Sequence, residues 1–136
     1  MAWLIITEKH NTARRIASIL FNDVKQLRKY GVSYYHSPSS KTYVVGLKGH
    51  IVQLDFPKEY NSWKNVPLDS LLRAKLIKEL KEKGIARLLK EIAREIDHVT
   101  VATDYDREGE LIGFEALEIV RRVNPSVKVD RAKYSA

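Results

Sequence analysis

An α/β fold is predicted for this chain: a parallel sheet flanked by helices, with a β-hairpin region inserted between two strand–turn–helix units. Three observations predict it. Residues 2–6 (AWLII) and 98–103 (HVTVAT) are short, β-branched apolar runs of the kind buried in parallel sheets. Each leads into a polar turn and then an amphipathic stretch. Between the units, VSYYH and TYVVGL flank the Pro- and Ser-rich SPSSK (residues 37–41), the pattern of a hairpin.

The elements follow in order. After AWLII the chain passes through Thr7-Glu8-Lys9, and Asn11 or Thr12 is expected to cap a helix whose apolar side carries Ile16, Ala17, Ile19 and Leu20. Beyond the hairpin, LKGHIVQLDFP contains a break at Gly49-His50 and then another short strand; residues 57–67 lack any period and read as loop. Asp69 is expected to cap a long amphipathic segment. Leu72, Leu76 and Leu80 form its first stripe, and Ile85, Leu88, Leu89, Ile92 and Ile96 continue it beyond Gly84, which is expected to divide two helices. The lysines, arginines and glutamates of the opposite side read as a solvated face. HVTVAT is the second buried strand. The helix after it carries Leu111, Ile112, Leu117 and Ile119 and stops at Asn124-Pro125, leaving VKVDRAKYSA for a last strand.

With 136 residues the chain fits one domain with a real core. It contains no cysteine, which excludes a disulfide framework and a thiolate metal site. No apolar run approaches the roughly 20 residues that span a bilayer. MAWLIITEK lacks the features of a signal peptide, so a cytoplasmic location is expected. The net charge of +7 and a pI near 9.6 fit two readings, plain solubility or a polyanionic partner, most often nucleic acid, and charge alone does not decide between them.

Against that basic background, VATDYDREGELIG (residues 101–113) sets Asp104, Asp106, Glu108 and Glu110 at alternate positions. In open parallel sheets the functional crevice lies beyond the carboxyl ends of the strands. Both buried runs end in acids there, the first in Glu8 and the second in this stretch. If the two strands are neighbours, the carboxylates meet at one edge and offer hard oxygen ligands suited to Mg²⁺. Acids at a helix start also cap free amides and favour the helix dipole, and that role accounts for Glu110 in full.

DYDREGE (residues 104–110) resembles the D-x-D-R-E-G-E signature of the TOPRIM domain of type IA DNA topoisomerases, archaeal or topoisomerase I- or III-like. LIITEKHNTARRIA is similar to the opening strand, E-K-P turn and helix of that family. KGHIVQLDFP resembles its G-H-x-x-x-L segment and DRAKYSA the stretch leaving the domain, so the likeness spans residues 1–136. His10 departs from it, standing where the family more often has proline.

The resemblance implies a Rossmann-like fold and ATP-independent cleavage and resealing of one DNA strand, by which negative supercoils relax. It implies Glu8 as proton donor and acceptor, Lys9 at the scissile phosphate, Mg²⁺ on Asp104, Asp106 and Glu108, and Arg107 and Arg131 as DNA-binding residues, with charge balance among its acidic neighbours the other reading of Arg107 and a plain salt bridge that of Arg131. The nucleophilic tyrosine of that family lies in a later domain. Tyr30, Tyr34, Tyr35, Tyr43, Tyr60, Tyr105 and Tyr134 are therefore expected in core, surface or hairpin positions. The chain is expected to be an N-terminal portion of a larger topoisomerase, partnered by its remaining domains and by single-stranded DNA near the nucleoid, and inactive in relaxation alone. Two other readings stay open: a stand-alone TOPRIM nuclease or primase-like protein, and a non-catalytic nucleic-acid-binding module.

Overall fold

The computed structural model describes residues 2–48, 52–55, 77–80, 83–104 and 106–132. The two apolar runs become adjacent parallel strands, Trp3–Thr7 (β1) and His98–Ala102 (β7), with Ile5 opposite Thr100 and Thr7 opposite Ala102. Between β1 and β7 in sequence lie α1 (His10–Leu20), β2 (Lys25–Lys29), β3 (Val32–Ser37), β4 (Thr42–Gly46), β5 (Val52–Asp55), β6 (Ile77–Leu80) and α2 (Lys83–Ala93). After β7 come α3 (Arg107–Val123) and β8 (Lys128–Arg131).

The main sheet has six strands in the order β2-β3-β4-β1-β7-β8. β4, β1, β7 and β8 run parallel, whereas β2 and β3 are antiparallel to their neighbours. The expected hairpin is present as β3–β4, and it is built into the main sheet because β4 lies directly beside β1. β2 is an edge strand that the sequence reading passed over: KQLRK is exposed along its whole length and has no apolar alternation.

The core has two layers. On one side of the sheet Ile85, Leu88, Leu89 and Ile92 of α2 and Ile112, Ala116, Ile119 and Val120 of α3 pack against Leu4, Ile6, Val45 and Val99. On the other, Ala13 and Ala17 of α1 lie over Ile5, Tyr35, Val44 and Ala102. Small alanines let α1 sit close to the strands. The helix covers β3, β4 and β1 and leaves Ile19 and Leu20 at 75% and 53% exposure, so the expected apolar side is only partly buried. Among the described residues no helix is long and apolar enough to cross a membrane.

Three local expectations are corrected. Lys9, not Asn11 or Thr12, is the N-cap of α1, without a side-chain cap, because the helix begins at His10 straight after the β1 turn. Ile77–Leu80, expected to close a helical stripe at Leu80, is a strand paired antiparallel to Val52–Asp55; ladder pairing overrides a leucine spacing that four residues cannot establish. Gly84 stands in the first turn of α2, so it opens a helix and does not divide two. Asp69, Leu72, Leu76, Gly49-His50 and residues 57–67 lie outside the described residues.

Candidate catalytic edge of the sheet

Because β1 and β7 are neighbours with matched ends, the turns that follow them emerge side by side at the carboxyl edge of the sheet. The first turn carries Glu8, Lys9 and His10. Its seat is Gly46, the β4 partner of Thr7, where an added Cβ would stand 2.5 Å from His10 Cα and 2.6 Å from Lys9 O. A side chain there would push the turn off the sheet. Thr7 Oγ1 donates to Lys9 O at 2.9 Å, and Ala13 N closes the first helical turn on the same carbonyl at 3.1 Å. His10 Nε2 lies 3.0 Å from the Tyr35 hydroxyl, so the residue that replaces the family's proline is anchored to the hairpin.

Glu8 is half-buried, and its Oε1 is a buried oxygen with no hydrogen-bond partner among the described residues. Such a group is costly, about 1–3 kcal/mol, and native structures seldom leave one without a reason. Lys9 is exposed beside it.

The second turn is bound tightly to the helix it starts. Asp106 is the N-cap of α3 in extended conformation, its Oδ1 accepting from Gly109 N at 2.7 Å. Thr103 Oγ1 donates to Gly109 O at 2.8 Å. Gly109 packs on the backbone of Asp104 so closely that a Cβ would come 2.1 Å from Asp104 O. Asp104 is half-buried, while Asp106, Arg107, Glu108 and Glu110 are exposed at the mouth of the turn.

The capping role therefore falls to Asp106, where the sequence pointed to Glu110. Glu110 instead pairs with Arg131 at the end of β8: Oε1 lies 2.8 Å from Nε and 2.6 Å from Nη2. The same guanidinium donates to Val101 O at 3.1 Å, to Asp104 O at 3.1 Å and to Ala132 O. Nothing in the sequence marks this bond across 21 positions; only the β7–β8 pairing, with Val101 opposite Arg131, brings it about.

The structure thus brings Glu8, Lys9, Asp104, Asp106, Arg107, Glu108 and Arg131 to one edge. Among the described residues no three Asp, Glu or His side chains are arranged as a ready metal site. The donor set of Asp104, Asp106 and Glu108 is nonetheless all oxygen and partly solvated. That combination suits a hard cation that keeps several of its waters, as Mg²⁺ does. Of the tyrosines, Tyr34 and Tyr35 are core residues, Tyr30 donates to Glu91 and Tyr43 to Glu95. Tyr60, Tyr105 and Tyr134 lie outside the described residues.

Residues 3–136 match the model of the Toprim domain. The chain is 72% identical over its full length to the DNA topoisomerase 1 of Archaeoglobus fulgidus, of which it covers 20%. It is 41% identical to the DNA topoisomerase 1 of Thermoplasma acidophilum, with 98% of the chain and 17% of that protein aligned. The DNA topoisomerase 3 of Schizosaccharomyces pombe is 33% identical across 99% of the chain and 24% of its own length. The chain spans about a fifth of these relatives. The match takes in β1 with Glu8, β7 with its acidic turn and the sheet that joins them, and by it the chain belongs to the Toprim family.

Proposed function

We propose that this chain is the Toprim domain of a type IA DNA topoisomerase and supplies the general acid/base and Mg²⁺ half of its active site. The observation that carries the reading is the buried, unpartnered Oε1 of Glu8 beside the acidic turn of β7. The identity to named topoisomerases supports it. The rest of the enzyme, including the tyrosine that attacks the phosphodiester, belongs to other domains, and the isolated chain does not relax DNA.

In that reaction the tyrosine hydroxyl gives up its proton to solvent as its oxygen forms a bond to phosphorus, and the bond to the 3′ oxygen breaks. Glu8 gives its proton to the leaving 3′ oxygen and takes it back when the strand is resealed. Lys9, adjacent to Glu8 and exposed, neutralises charge on the scissile phosphate. Asp104, Asp106 and Glu108 would hold Mg²⁺, and the ion would supply charge neutralisation for the phosphate backbone near the reacting atoms. Arg107, exposed at the first position of α3, meets a phosphate of the single-stranded DNA segment. The substrate is chromosomal DNA, which sets the cytoplasmic, nucleoid-associated location.

Replacing the matching segment of the Archaeoglobus enzyme with this chain tests the reading. The chimera is expected to relax negatively supercoiled DNA with Mg²⁺ and without ATP, and Glu8→Gln is expected to abolish relaxation while the domain stays folded. Metal-dependent nicking by the isolated chain, with a free 5′ phosphate and no covalent adduct, would instead establish a nuclease. DNA binding indifferent to chelator, Asp104→Asn and Asp106→Asn, in a chimera without activity, would establish a binding module.

A further inference from the structure

We infer that Arg131 is a positioning residue: clamped by Glu110, it fixes the turn that carries Asp104, and it does not contact DNA. Every nitrogen of its guanidinium already has a protein acceptor. Nε meets Glu110, Nη1 meets the carbonyls of Val101 and Ala132, and Nη2 meets Glu110 and the carbonyl of Asp104. Arginine has five N–H donors in a rigid fork and no acceptor, so a phosphate would have to displace an existing partner.

The partners define the function. Val101 is near the end of β7, Asp104 is in the turn, Glu110 is in the first turn of α3, and Arg131 ends β8 with Ala132 following it. One planar cation thereby ties three elements at the place where the main chain must hold the Asp104 carboxylate. Glu110 keeps the fork oriented by an ion pair on the solvent side, where its own side chain is 51% exposed and that of Arg131 is 25% exposed. A lysine keeps the charge but cannot span acceptors on three elements. The arrangement is that of the outer partners which orient metal ligands, whose loss typically costs 10–100-fold in metal affinity. The link to the metal rests on the proposed function; the clamp itself rests on the distances above.

The experiment uses the Archaeoglobus chimera and three variants, Arg131→Lys, Arg131→Gln and Glu110→Gln, with folding followed by circular dichroism. The first readout is the Mg²⁺ concentration for half-maximal strand cleavage. All three variants are expected to raise it about tenfold, and the double change of Glu110 and Arg131 is expected to cost little more than either alone. The second readout needs no metal: the slope of log K against log salt for binding a single-stranded oligonucleotide. A lost phosphate contact lowers that slope by about 0.7, whereas a positioning residue leaves it unchanged.

A shallower slope for Arg131→Gln would overturn the inference. So would tighter DNA binding by Glu110→Gln, because a DNA-binding arginine gains from release of its clamp. An unchanged Mg²⁺ requirement in folded Arg131→Lys and Glu110→Gln would overturn it too. An inactive parent chimera, by contrast, speaks against the proposed function and leaves the slope test of the arginine intact.

Discussion

The two turns at the carboxyl edge are built on the same plan and tied down differently. Each follows a buried parallel strand, and each presses its backbone against a glycine, Gly46 under His10 and Gly109 under Asp104. The turn after β7 is held by the Asp106 cap, the Thr103–Gly109 hydrogen bond and the Arg131 fork. The turn after β1 has no side-chain cap and leaves a buried oxygen of Glu8 without a partner. A group that binds a cation gains from a rigid frame. On the proposed roles, the proton-exchanging Glu8 needs an oxygen left uncommitted, and some loss of stability at that turn follows from it.

The largest effects that probe this contrast come from the glycines. In Gly109→Ala, helix propensity alone would stabilise by about 1 kcal/mol. The added Cβ would lie 2.1 Å from a backbone carbonyl that cannot move without moving Asp104. Overpacking wins, and a net loss of about 3 kcal/mol is expected in denaturant unfolding. Gly46→Ala, with its nearest contact at 2.5 Å, is expected to cost about 2 kcal/mol. A neutral Gly109→Ala would mean that the β7 turn is the more compliant of the two.

Next come the acids themselves. Asp106→Ala removes a formed cap and is expected to destabilise by about 1 kcal/mol. Glu8→Gln breaks no hydrogen bond at the buried Oε1, so stability is expected to hold or rise while strand cleavage in the chimera is lost. Thermal unfolding of the two variants side by side decides the matter. A loss at Glu8 as large as at Asp106 would remove the distinction between the turns.

How much of this could be read beforehand depends on the range of the interaction. Strand–acid–helix units were legible because β-branched runs, a polar turn and an apolar period lie within some twenty residues of one another. The meeting of Glu8 with the acidic turn required only the guess that β1 and β7 are neighbours, and the pairing of Thr7 with Ala102 bears it out. β2 was illegible because an edge strand exposed on both faces has no hydrophobic period; its only determinant is pairing with β3. Ile77–Leu80 misled because leucine spacing was read as helical where a partner strand decides the backbone. The exchange of roles between Asp106 and Glu110 could not be foreseen either. Either acid can cap in isolation, and Arg131, which claims Glu110, arrives from another strand.

The smallest effect expected concerns the support beneath the Glu8 turn. Asp23 accepts from Ser37 Oγ at 2.5 Å and from Ser39 N at 2.8 Å, fastening the loop of the hairpin whose second strand ends in Gly46. These hydrogen bonds favour the charged form and lower the Asp23 pKa from 3.8 to about 2. With the folded value below the unfolded one, the stabilisation is fully present above 3.8 and is lost as pH falls towards about 2. Asp23→Asn is therefore expected to be less stable than the parent near neutral pH, by a small margin at so exposed a site. That margin should shrink on acidification and vanish only below about 2, as the parent carboxyl itself becomes protonated. Amide exchange at Ser39 should follow it, while the amide of Gly109, held by Asp106 on the other turn, should not distinguish the two proteins. A change at Gly109 as large as at Ser39 would show that the two turns are mechanically coupled through the sheet and do not act as separate halves of the site.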